Sequence, residues 1–260
     1  MPDHELKEKM KIGQTIRSTL QLREFENWCK LPHKGKGVEL FKEVTSANKW
    51  VFSKKGLSSS EWTTALKMVA NVVPVRSVPG RSQDGTRCRH CSEPETLAHV
   101  LGSCPYGALL RNSRHHSVRT IIATALRNKG WQVVEEVHCI AESGSNRRLD
   151  ILCFNTKSKE GFVIDPTIRF EVSSDQPKLV DEEKKSIYEP CVKYLKEKYN
   201  LNDVSVHGLM IGARGTIPRK VEQFRKQFNL NSKLKEEVVV MTLKESYNII
   251  QNRLYKLSNR

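Results

Sequence analysis

The sequence predicts an α/β protein that is preceded by a helical region and a small metal-binding module. Three observations lead to this expectation. Helix-like and strand-like apolar patterns alternate from residue 113 onward, cysteine and histidine residues cluster between 88 and 104, and the earlier residues carry only helical periodicity. We therefore expect a helical linker region over 1–80, the metal-binding module over 81–110 and the α/β domain over 111–260.

The linker region begins with about 55 lysine-rich, weakly periodic residues, which indicate short helices and loops. Ser58 followed by Glu61 has the spacing of a capping box, a helix-start motif. A helix that Pro74 ends is expected from there, because apolar residues recur at three- and four-residue steps at Trp62, Leu66, Val69 and Val73. Residues 78–87 have the proline, glycine and serine content of a linker.

The α/β part begins with a predicted helix over His116–Lys129, which Gly130 ends. Three strand-like runs separated by turn-forming residues follow, at Trp131–Ile140, Arg148–Phe154 and Gly161–Phe170. The rest predicts a helical stretch broken at Pro190, a strand, a further helix, a short strand and a closing helix. The helical stretch is Val180–Tyr199 and the strand is Asp203–Ile211. The further helix begins after Pro218, the short strand is Val238–Met241, and the closing helix carries Tyr247, Ile250 and Leu254.

The charge balance indicates a polyanionic partner or a membrane surface. Lys and Arg number 44 against 29 Asp and Glu, a formal net charge of +15; such a surplus controls association rather than fold. No stretch approaches the ~18 apolar residues of a membrane span, so we expect no membrane partner. The charged N-terminus and the odd, uneven set of seven cysteines favour an intracellular, reducing compartment.

Basic residues concentrate between Glu95 and Glu135, where no acidic residue occurs. The segment carries Arg111, Arg114, His115, His116, Arg119, Arg127 and Lys129. Two interpretations stay open, a surface that binds phosphates and a solvated basic helix face.

Cys88, Cys91, His99 and Cys104 form the most specific local pattern in the chain. Three sulfur ligands and one nitrogen ligand within a 17-residue loop can complete a tetrahedral zinc shell. Since four protein ligands leave no open position, the predicted zinc is structural. The alternative is a set of buried free cysteines beside a helix-capping histidine. His90 is left out of the ligand set, because its side chain is expected to point outward.

Asp150 and Asp165 each lie within an apolar, strand-like run. An ionised carboxylate in such surroundings is costly unless a cation or a hydrogen-bond donor neutralises it. Two of them on neighbouring strands would converge on one point, and hard oxygen ligands suit a divalent ion such as Mg²⁺ or Mn²⁺. The alternative is that both aspartates cap turns at strand ends, which Pro166 would favour.

A lysine commonly completes a metal-dependent site of this kind. Thr167 occupies the position two residues after the second carboxylate where this lysine often lies, so it must come from elsewhere. Lys184 and Lys185 on the following helix are the candidates. Lys184 lies four residues before Tyr188, so the two side chains are expected to share one helical face.

Several features taken together resemble the C-terminal region of a known family. They are the zinc spacing, the Arg114-His115-His116 run expected to open a helix, Asp150, Asp165, and Lys184 four residues before Tyr188. The family is the Pol polyprotein of site-specific non-LTR retrotransposons of the R-two type, and the resemblance extends from about residue 12 to the C-terminus. It implies a Cys-Cys-His-Cys zinc knuckle followed by a restriction-endonuclease-like PD-(D/E)xK core, a mixed sheet flanked by helices. In that family the endonuclease nicks one strand of the target DNA, and the freed 3′ hydroxyl primes reverse transcription.

The resemblance implies a role for each matching residue. Asp150 and Asp165 would hold the catalytic Mg²⁺ or Mn²⁺, with Lys184 and Tyr188 completing the catalytic set. Arg114 and His115 match an Arg-His pair of the family that is expected to face DNA. Arg119 and Arg148, which are not carried over from the family, complete the expected nucleic-acid contacts. Double-stranded target DNA is the expected partner, with the element's RNA as a second candidate, and the expected location is the nucleus.

Two departures from the family pattern leave an alternative open. Leu149 stands where a proline usually precedes the first aspartate, and His116 stands where an asparagine or aspartate is common. The alternative is a nucleic-acid-binding module that no longer cuts DNA. A polymerase site is not expected, since polymerase chemistry needs adjacent aspartates and no Asp-Asp pair occurs in the sequence.

Overall fold

The computed structural model describes the backbone of residues 2–54, 56–80 and 85–255, and the side chains of 14–253 within these ranges. Its helices are α1 Pro2–Cys29, α2 Ser59–Val69, α3 Leu97–Gly102, α4 Ala108–Arg127, α5 Gln176–Tyr188, α6 Val192–Tyr199, α7 Arg219–Gln227 and α8 Lys233–Tyr255. Its strands are β1 Gln132–Ile140, β2 Asn146–Asn155, β3 Glu160–Arg169 and β4 Asp203–Gly212. Short 3₁₀ turns lie at Val38–Lys42, Thr45–Val51, Pro105–Gly107 and Glu189–Cys191.

The four strands form one mixed sheet in the order β1-β2-β3-β4. β1, β2 and β3 are antiparallel neighbours joined by short turns, whereas β4 runs parallel to β3. A parallel pair needs a long crossover connection, and α5 and α6 provide it. The chain is therefore a mixed α/β protein whose sheet is flanked by helices.

Helices cover both faces of the sheet. On one face Ile151 and Ile164 pack in a core shared with α4, α7 and α8. On the other face Leu152 and Val163 pack in a second core with Leu195 and other side chains of α5 and α6. Side chains alternate between the two faces along a strand, so both faces of the sheet are apolar where the central residues of β2, β3 and β4 are buried.

The N-terminal part shares the first core with the sheet. Trp50 and Met68 from the predicted linker region, and Leu101 from the predicted zinc module, lie in the same cluster as Ile151 and Ile250. All three predicted segments thus contribute to one apolar core. The proposed division at residues 80 and 110 stays a prediction.

The structure confirms most predicted elements around the sheet. The capping box at Ser58 is present, with the Glu61 amide 3.3 Å from Ser58 Oγ and the Ser58 amide 2.6 Å from Glu61 Oε2. The break at Pro190 separates α5 from α6. The predicted linker at 78–87 falls partly on 81–84, which lie outside the described residues, as does the side chain of Leu254.

Four sequence predictions about elements are wrong. Val238–Met241 is not a strand but part of α8, because its valines pack in the helical core beside α4, which overrides their preference for strands. The first residues form one 28-residue helix rather than short helices. α4 begins at Ala108, so Arg114-His115-His116 lies inside it. α2 ends at Val69, before the Asn71 backbone turns left-handed.

Among the described residues, no helix combines the length and the apolar character that crossing a membrane requires.

A fully buried ion pair connects the N-terminal region to the end of the sheet. Arg214 and Glu171 both have no exposed surface, and Nε of Arg214 lies 3.0 Å from Oε2 of Glu171. The Thr216 hydroxyl donates to the other carboxylate oxygen at 3.1 Å. The Arg214 guanidinium also donates to the carbonyl oxygens of Lys36 and Val69, at 2.6 and 3.3 Å. One buried cation thereby joins four separate segments.

We predict that Arg214→Ala lowers the free energy of unfolding by about 3–5 kcal/mol, because it leaves the Glu171 carboxylate buried without its cation. Urea unfolding followed by circular dichroism measures the change. Arg169→Ala is the matched control, since Arg169 pairs with Glu183 at the surface and both side chains are 44% exposed; its effect should stay below about 1 kcal/mol. Equal effects of the two variants would contradict the role given to the buried pair.

Candidate active site and metal centre

The two aspartates lie where strands β2 and β3 separate. The β2–β3 ladder runs from Asn155 and Glu160 to Ile151 and Ile164 and stops there. The next pair in the same register would be Asp150 and Asp165. Beyond this point β3 continues its pairing with β4, and β2 continues beside β1. The carboxylates therefore lie at the mouth of a fork in the sheet, a position that leaves space between two strands.

A local distortion of β1 accompanies the fork. Glu136 has a left-handed backbone with φ 55°, and the pair that it would form with Asp150 is missing from the ladder although the register is the same on both sides. On one side of this point Ile151 packs in the core with α4, and on the other side Leu149 packs in the core with Tyr188. The odd-numbered side chains of β2 therefore point to one face of the sheet before Asp150 and to the other face after it. Asp150 lies where this direction changes.

Asp165 is buried, with 3% of its surface exposed, and hydrogen-bond donors surround it. The Thr167 hydroxyl donates to Oδ1 at 2.7 Å, the Tyr188 hydroxyl lies 3.0 Å from Oδ2, and Nζ of Lys184 lies 3.2 Å from Oδ2. A carboxylate offers about four lone-pair positions. These contacts occupy three of them, which leaves one position on Oδ1 for a further ligand.

Tyr188 joins the two strands at the fork. Its hydroxyl lies 3.0 Å from Asp165 Oδ2 and 3.1 Å from the carbonyl oxygen of Arg148, so its single proton can be donated to either acceptor. Burial, together with the negative charges of Asp165 and Asp150, raises the pKa of Tyr188 above its usual range. The phenol therefore stays protonated and acts as a donor.

The structure distinguishes the two candidate lysines. Lys184 reaches Asp165, whereas Lys185 lies 2.9 Å from Asp181 on its own helix. Lys184 and Tyr188 share one face of α5, as their spacing predicts. The helix is held close to the sheet at Gly208 of β4, where an added Cβ would lie 2.8 Å from the Cα of Asp181 and 2.9 Å from the Cβ of Lys184. A glycine at this position is what lets Lys184 approach Asp165.

Asp150 is bound from the opposite side by α4. Nε2 of His115 lies 3.0 Å from Oδ2 of Asp150, and the two side chains are only 30% and 18% exposed. One acceptor position of Asp150 is thereby used. Oδ1 has no hydrogen-bond partner among the described contacts.

Both carboxylates line one cleft with a volume of about 1170 Å³. Residues of the predicted zinc module and of α4 form the rest of its lining. The sheet side of the lining includes Asp150, Asp165, Thr167, Arg169, Lys184 and Tyr188, and the facing side includes Cys91, Glu93, Thr96, His99, Ser103 and Arg111. The cleft is open to solvent.

The predicted zinc ligands come together in space. One ligand atom each from Cys88, Cys91, His99 and Cys104 lies within 4.8 Å of the other three. A small turn stabilised by the Cys88 amide and the Glu93 carbonyl, 2.8 Å apart, presents the first two cysteines. α3 presents the histidine three residues after its Thr96 cap. This Cys₃His cluster could bind a metal ion such as zinc.

The distances within the cluster suit a tetrahedral ion. Two sulfur ligands about 2.3 Å from zinc lie about 3.8 Å apart at the tetrahedral angle, and Sγ of Cys88 and Cys104 are 3.8 Å apart. Nε2 of His99 lies 3.2 Å from Cys91 Sγ, while its Nδ1 lies 3.2 Å from the Ser103 hydroxyl. Outer hydrogen bonds of this kind orient a ligating imidazole. Burial lowers the pKa of His99, which favours its neutral, metal-binding form.

His90 is not part of the cluster. Its ring stacks on Tyr106, with ring centroids 3.7 Å apart and planes at 3°. Its placement agrees with its exclusion from the predicted ligand set.

The structure corrects the expected roles of two arginines. Arg114 is 2% exposed and donates to the carbonyl oxygen of Leu101 at 2.8 Å and to the Ser246 hydroxyl at 2.9 Å, so its guanidinium holds α4 in place instead of facing a nucleic acid. Arg119 is similarly buried. It forms ion pairs of 3.1 and 2.6 Å with Glu135 and Glu136.

Much of the basic segment is neutralised by acidic residues of β1. Glu135 binds Arg127 at 2.9 Å in addition to Arg119. Glu136 also pairs with Arg148, the fourth predicted nucleic-acid contact, whose side chain remains 56% exposed. Arg148 is therefore the one arginine of the predicted contact set that presents a large surface to solvent.

Sequence reasoning missed Thr167 and Glu136. Thr167 appeared only as a replacement for the expected lysine, yet it donates to Asp165. Glu136 carries a positive φ, which nothing in its local sequence signals. Its acidic side chain next to a basic segment is the only signal that could have drawn attention to the ion pairs.

No protein-family model matches the chain. It is 28% identical over 163 residues to the retrovirus-related Pol polyprotein from type-1 retrotransposable element R2 of Popillia japonica, a match that covers 61% of this chain and 33% of that protein. It is 30% identical over 123 residues to the R2 Pol polyprotein of Nasonia vitripennis, covering 45% of this chain and 12% of that protein.

The chain thus spans about a third of the first relative and about an eighth of the second. Both matches are to Pol polyproteins of the same type of element, which agrees with the resemblance drawn from the zinc spacing and the aspartates. This chain is therefore similar in sequence to the Pol polyproteins of R2 retrotransposable elements, at 28% and 30% identity over 61% and 45% of its length.

Proposed function

We propose that the chain is a divalent-metal-dependent DNA endonuclease that nicks target DNA, with a PD-(D/E)xK core, and that it works within a non-LTR retrotransposon polyprotein. The observation that carries this proposal is the meeting of Asp150, Asp165 and Lys184 in one solvent-open cleft at the fork of the sheet. Homology to Pol polyproteins supports it.

The donor set of this site fits a hard divalent cation. Asp165 keeps one free lone-pair position on Oδ1, and Asp150 keeps Oδ1 free, so the two carboxylates offer oxygen ligands of the type that Mg²⁺ and Mn²⁺ prefer. A divalent ion bound here would acidify a water molecule and counter the charge that develops on the scissile phosphate.

The remaining residues have distinct tasks. Thr167 and Tyr188 hold Asp165 in a fixed orientation by donating to its two oxygens. Lys184 carries a positive charge in a partly buried position, where it can stabilise a phosphate more strongly than it could in bulk water. Leu149 is fully buried in the core beside Tyr188 and Val137, so the strand before Asp150 is well packed without the proline usual in the family.

The nucleic acid would lie across the cleft between the sheet and the zinc module. Arg111 and Arg169 line this cleft and Arg148 is exposed at its strand, so these arginines are the candidates for phosphate contacts. We further propose double-stranded DNA as the target, the element's RNA as a second ligand, structural zinc in the Cys₃His cluster, and the nucleus as the site of action.

We predict that Asp150→Asn and Asp165→Asn each slow nicking of supercoiled plasmid by at least about a hundredfold in Mg²⁺, because losing a metal-binding charge removes several kcal/mol of transition-state stabilisation. Conversion to open circles on agarose gels measures the rate. Asp203→Asn, at an aspartate whose side chain is 78% exposed on β4, is the control and should cut like the wild type.

Nicking by the wild type and both site variants at equal rates would contradict the assignment of the carboxylates. A wild type that binds duplex DNA but leaves plasmid uncut in both Mg²⁺ and Mn²⁺ would instead identify the chain as a nucleic-acid-binding module without catalysis.

The two neighbouring lysines provide a second test. We predict that Lys184→Ala lowers the nicking rate by about a hundredfold, the effect typical of removing a preorganised charge at a reacting phosphate. Lys185→Ala should leave the rate within about threefold of the wild type, since Lys185 pairs with Asp181 outside the cleft. Single-turnover rates at saturating protein compare the two variants. A larger loss in Lys185→Ala would reassign the catalytic lysine.

For the metal centre, we predict about one zinc ion per freshly purified chain and its loss in Cys88→Ser. Chelation should unfold residues 86–106, since metal binding provides much of the folding energy of so small a module. Metal analysis and amide hydrogen exchange measure these effects. Cys29→Ser, outside the cluster, should retain the zinc. Purified wild-type protein without zinc would refute the assignment.

A further inference from the structure

The sequence does not distinguish two roles for His115, a contact with DNA and a contact with Asp150. Its position in the basic segment suggests a contact with DNA, but its Nε2 lies 3.0 Å from Oδ2 of Asp150 and its side chain is 30% exposed. The following residue, His116, is 49% exposed and lies 3.6 Å from Glu136. Two adjacent histidines on one helix thus have different partners.

The helix that carries His115 is fixed immediately beside it. Arg114 is buried and binds the carbonyl oxygen of Leu101 and the hydroxyl of Ser246, which in turn donates to the carbonyl oxygen of Ala213 at 2.9 Å. Arg111 binds the carbonyl oxygen of Cys104. These contacts set the position of α4 relative to the zinc module, α8 and the end of the sheet, so the distance from His115 to Asp150 is determined by tertiary structure.

Asp150 has few other constraints. Asp165 receives contacts from three side chains, whereas His115 is the side chain seen to hold Asp150 among the described contacts. The backbone of β1 opposite it is distorted at Glu136, so no regular ladder pair fixes the strand at this residue. Without the imidazole, the Asp150 carboxylate would be free to rotate.

We infer that His115 is a positioning residue for the divalent-metal site. Its imidazole binds one carboxylate oxygen of Asp150 and leaves the other oxygen directed to the ion. The inference rests on the proposed endonuclease function. Carboxylate ligands are commonly held by outer hydrogen bonds, and removing such a partner typically lowers metal affinity or activity by about 10–100-fold. The same contact explains why an Arg-His pair is useful here: the arginine fixes the helix and the histidine holds the ligand.

The test measures Mn²⁺ binding to the full chain without DNA, by calorimetry on zinc-loaded protein. We expect His115→Ala to weaken Mn²⁺ binding by about 10–100-fold. His115→Gln, whose side-chain amide can donate to Asp150 from a similar position, should restore most of the affinity. His116→Ala is the matched control and should bind Mn²⁺ like the wild type, because its partner Glu136 lies outside the metal site.

A parallel measurement of duplex DNA affinity in the absence of divalent ions distinguishes positioning from direct contact. Unchanged DNA affinity with weakened Mn²⁺ binding in His115→Ala supports the inference. Weakened DNA affinity with unchanged Mn²⁺ binding would overturn it and return His115 to the nucleic-acid contacts.

The measurements distinguish failure of the proposed function from failure of the positioning role alone. If the wild type itself bound no Mn²⁺ and cut no plasmid, both the function and the role of His115 would be refuted. If the wild type bound Mn²⁺, Asp150→Asn abolished that binding and His115→Ala did not affect it, only the positioning role would be wrong.

Discussion

The separation of β2 from β3 at Asp150 and Asp165 is the constraint on which the rest of the site depends. A regular ladder would fill the space between the strands with backbone hydrogen bonds and leave no room for a ligand. Because β3 stays paired with β4 and β2 stays paired with β1, the sheet opens between β2 and β3 while each strand keeps its other neighbour. The two buried or half-buried carboxylates at the opening then need a cation or hydrogen-bond partners, and Lys184, Tyr188, Thr167 and His115 lie within 3.2 Å of them.

Close packing around the fork places these four side chains. α5 approaches β4 at Gly208, where any larger residue would meet the helix backbone, and this brings Lys184 and Tyr188 to Asp165. α4 reaches Asp150 from the other side, held by the buried contacts of Arg114. The two halves of the site therefore come from helices on opposite faces of the sheet, and they line one cleft where the strands part.

The zinc cluster and the carboxylates belong to one surface although they lie in separate parts of the sequence. Cys91 and His99 line the same cleft as Asp150 and Asp165, and α4 begins directly after the 3₁₀ turn that follows Cys104. A metal ion in the cluster would rigidify the wall that faces the carboxylates and the start of the helix that carries His115. An ion bound in the cluster would thus influence the carboxylate site through the position of this wall and this helix.

By itself the sequence determined the features that depend on local spacing. The zinc ligands were predictable because they lie within one short loop, and the shared face of Lys184 and Tyr188 followed from helical geometry. The strands carrying the aspartates were readable as apolar runs with a charge inside. Only the tertiary structure decided that Lys184 and not Lys185 reaches Asp165, that Arg114 and Arg119 are held internally, that Val238–Met241 is helical, and that His115 binds Asp150. Each of these depends on contacts between residues far apart in the chain, and local propensity and charge carry no information about which distant side chain will be met.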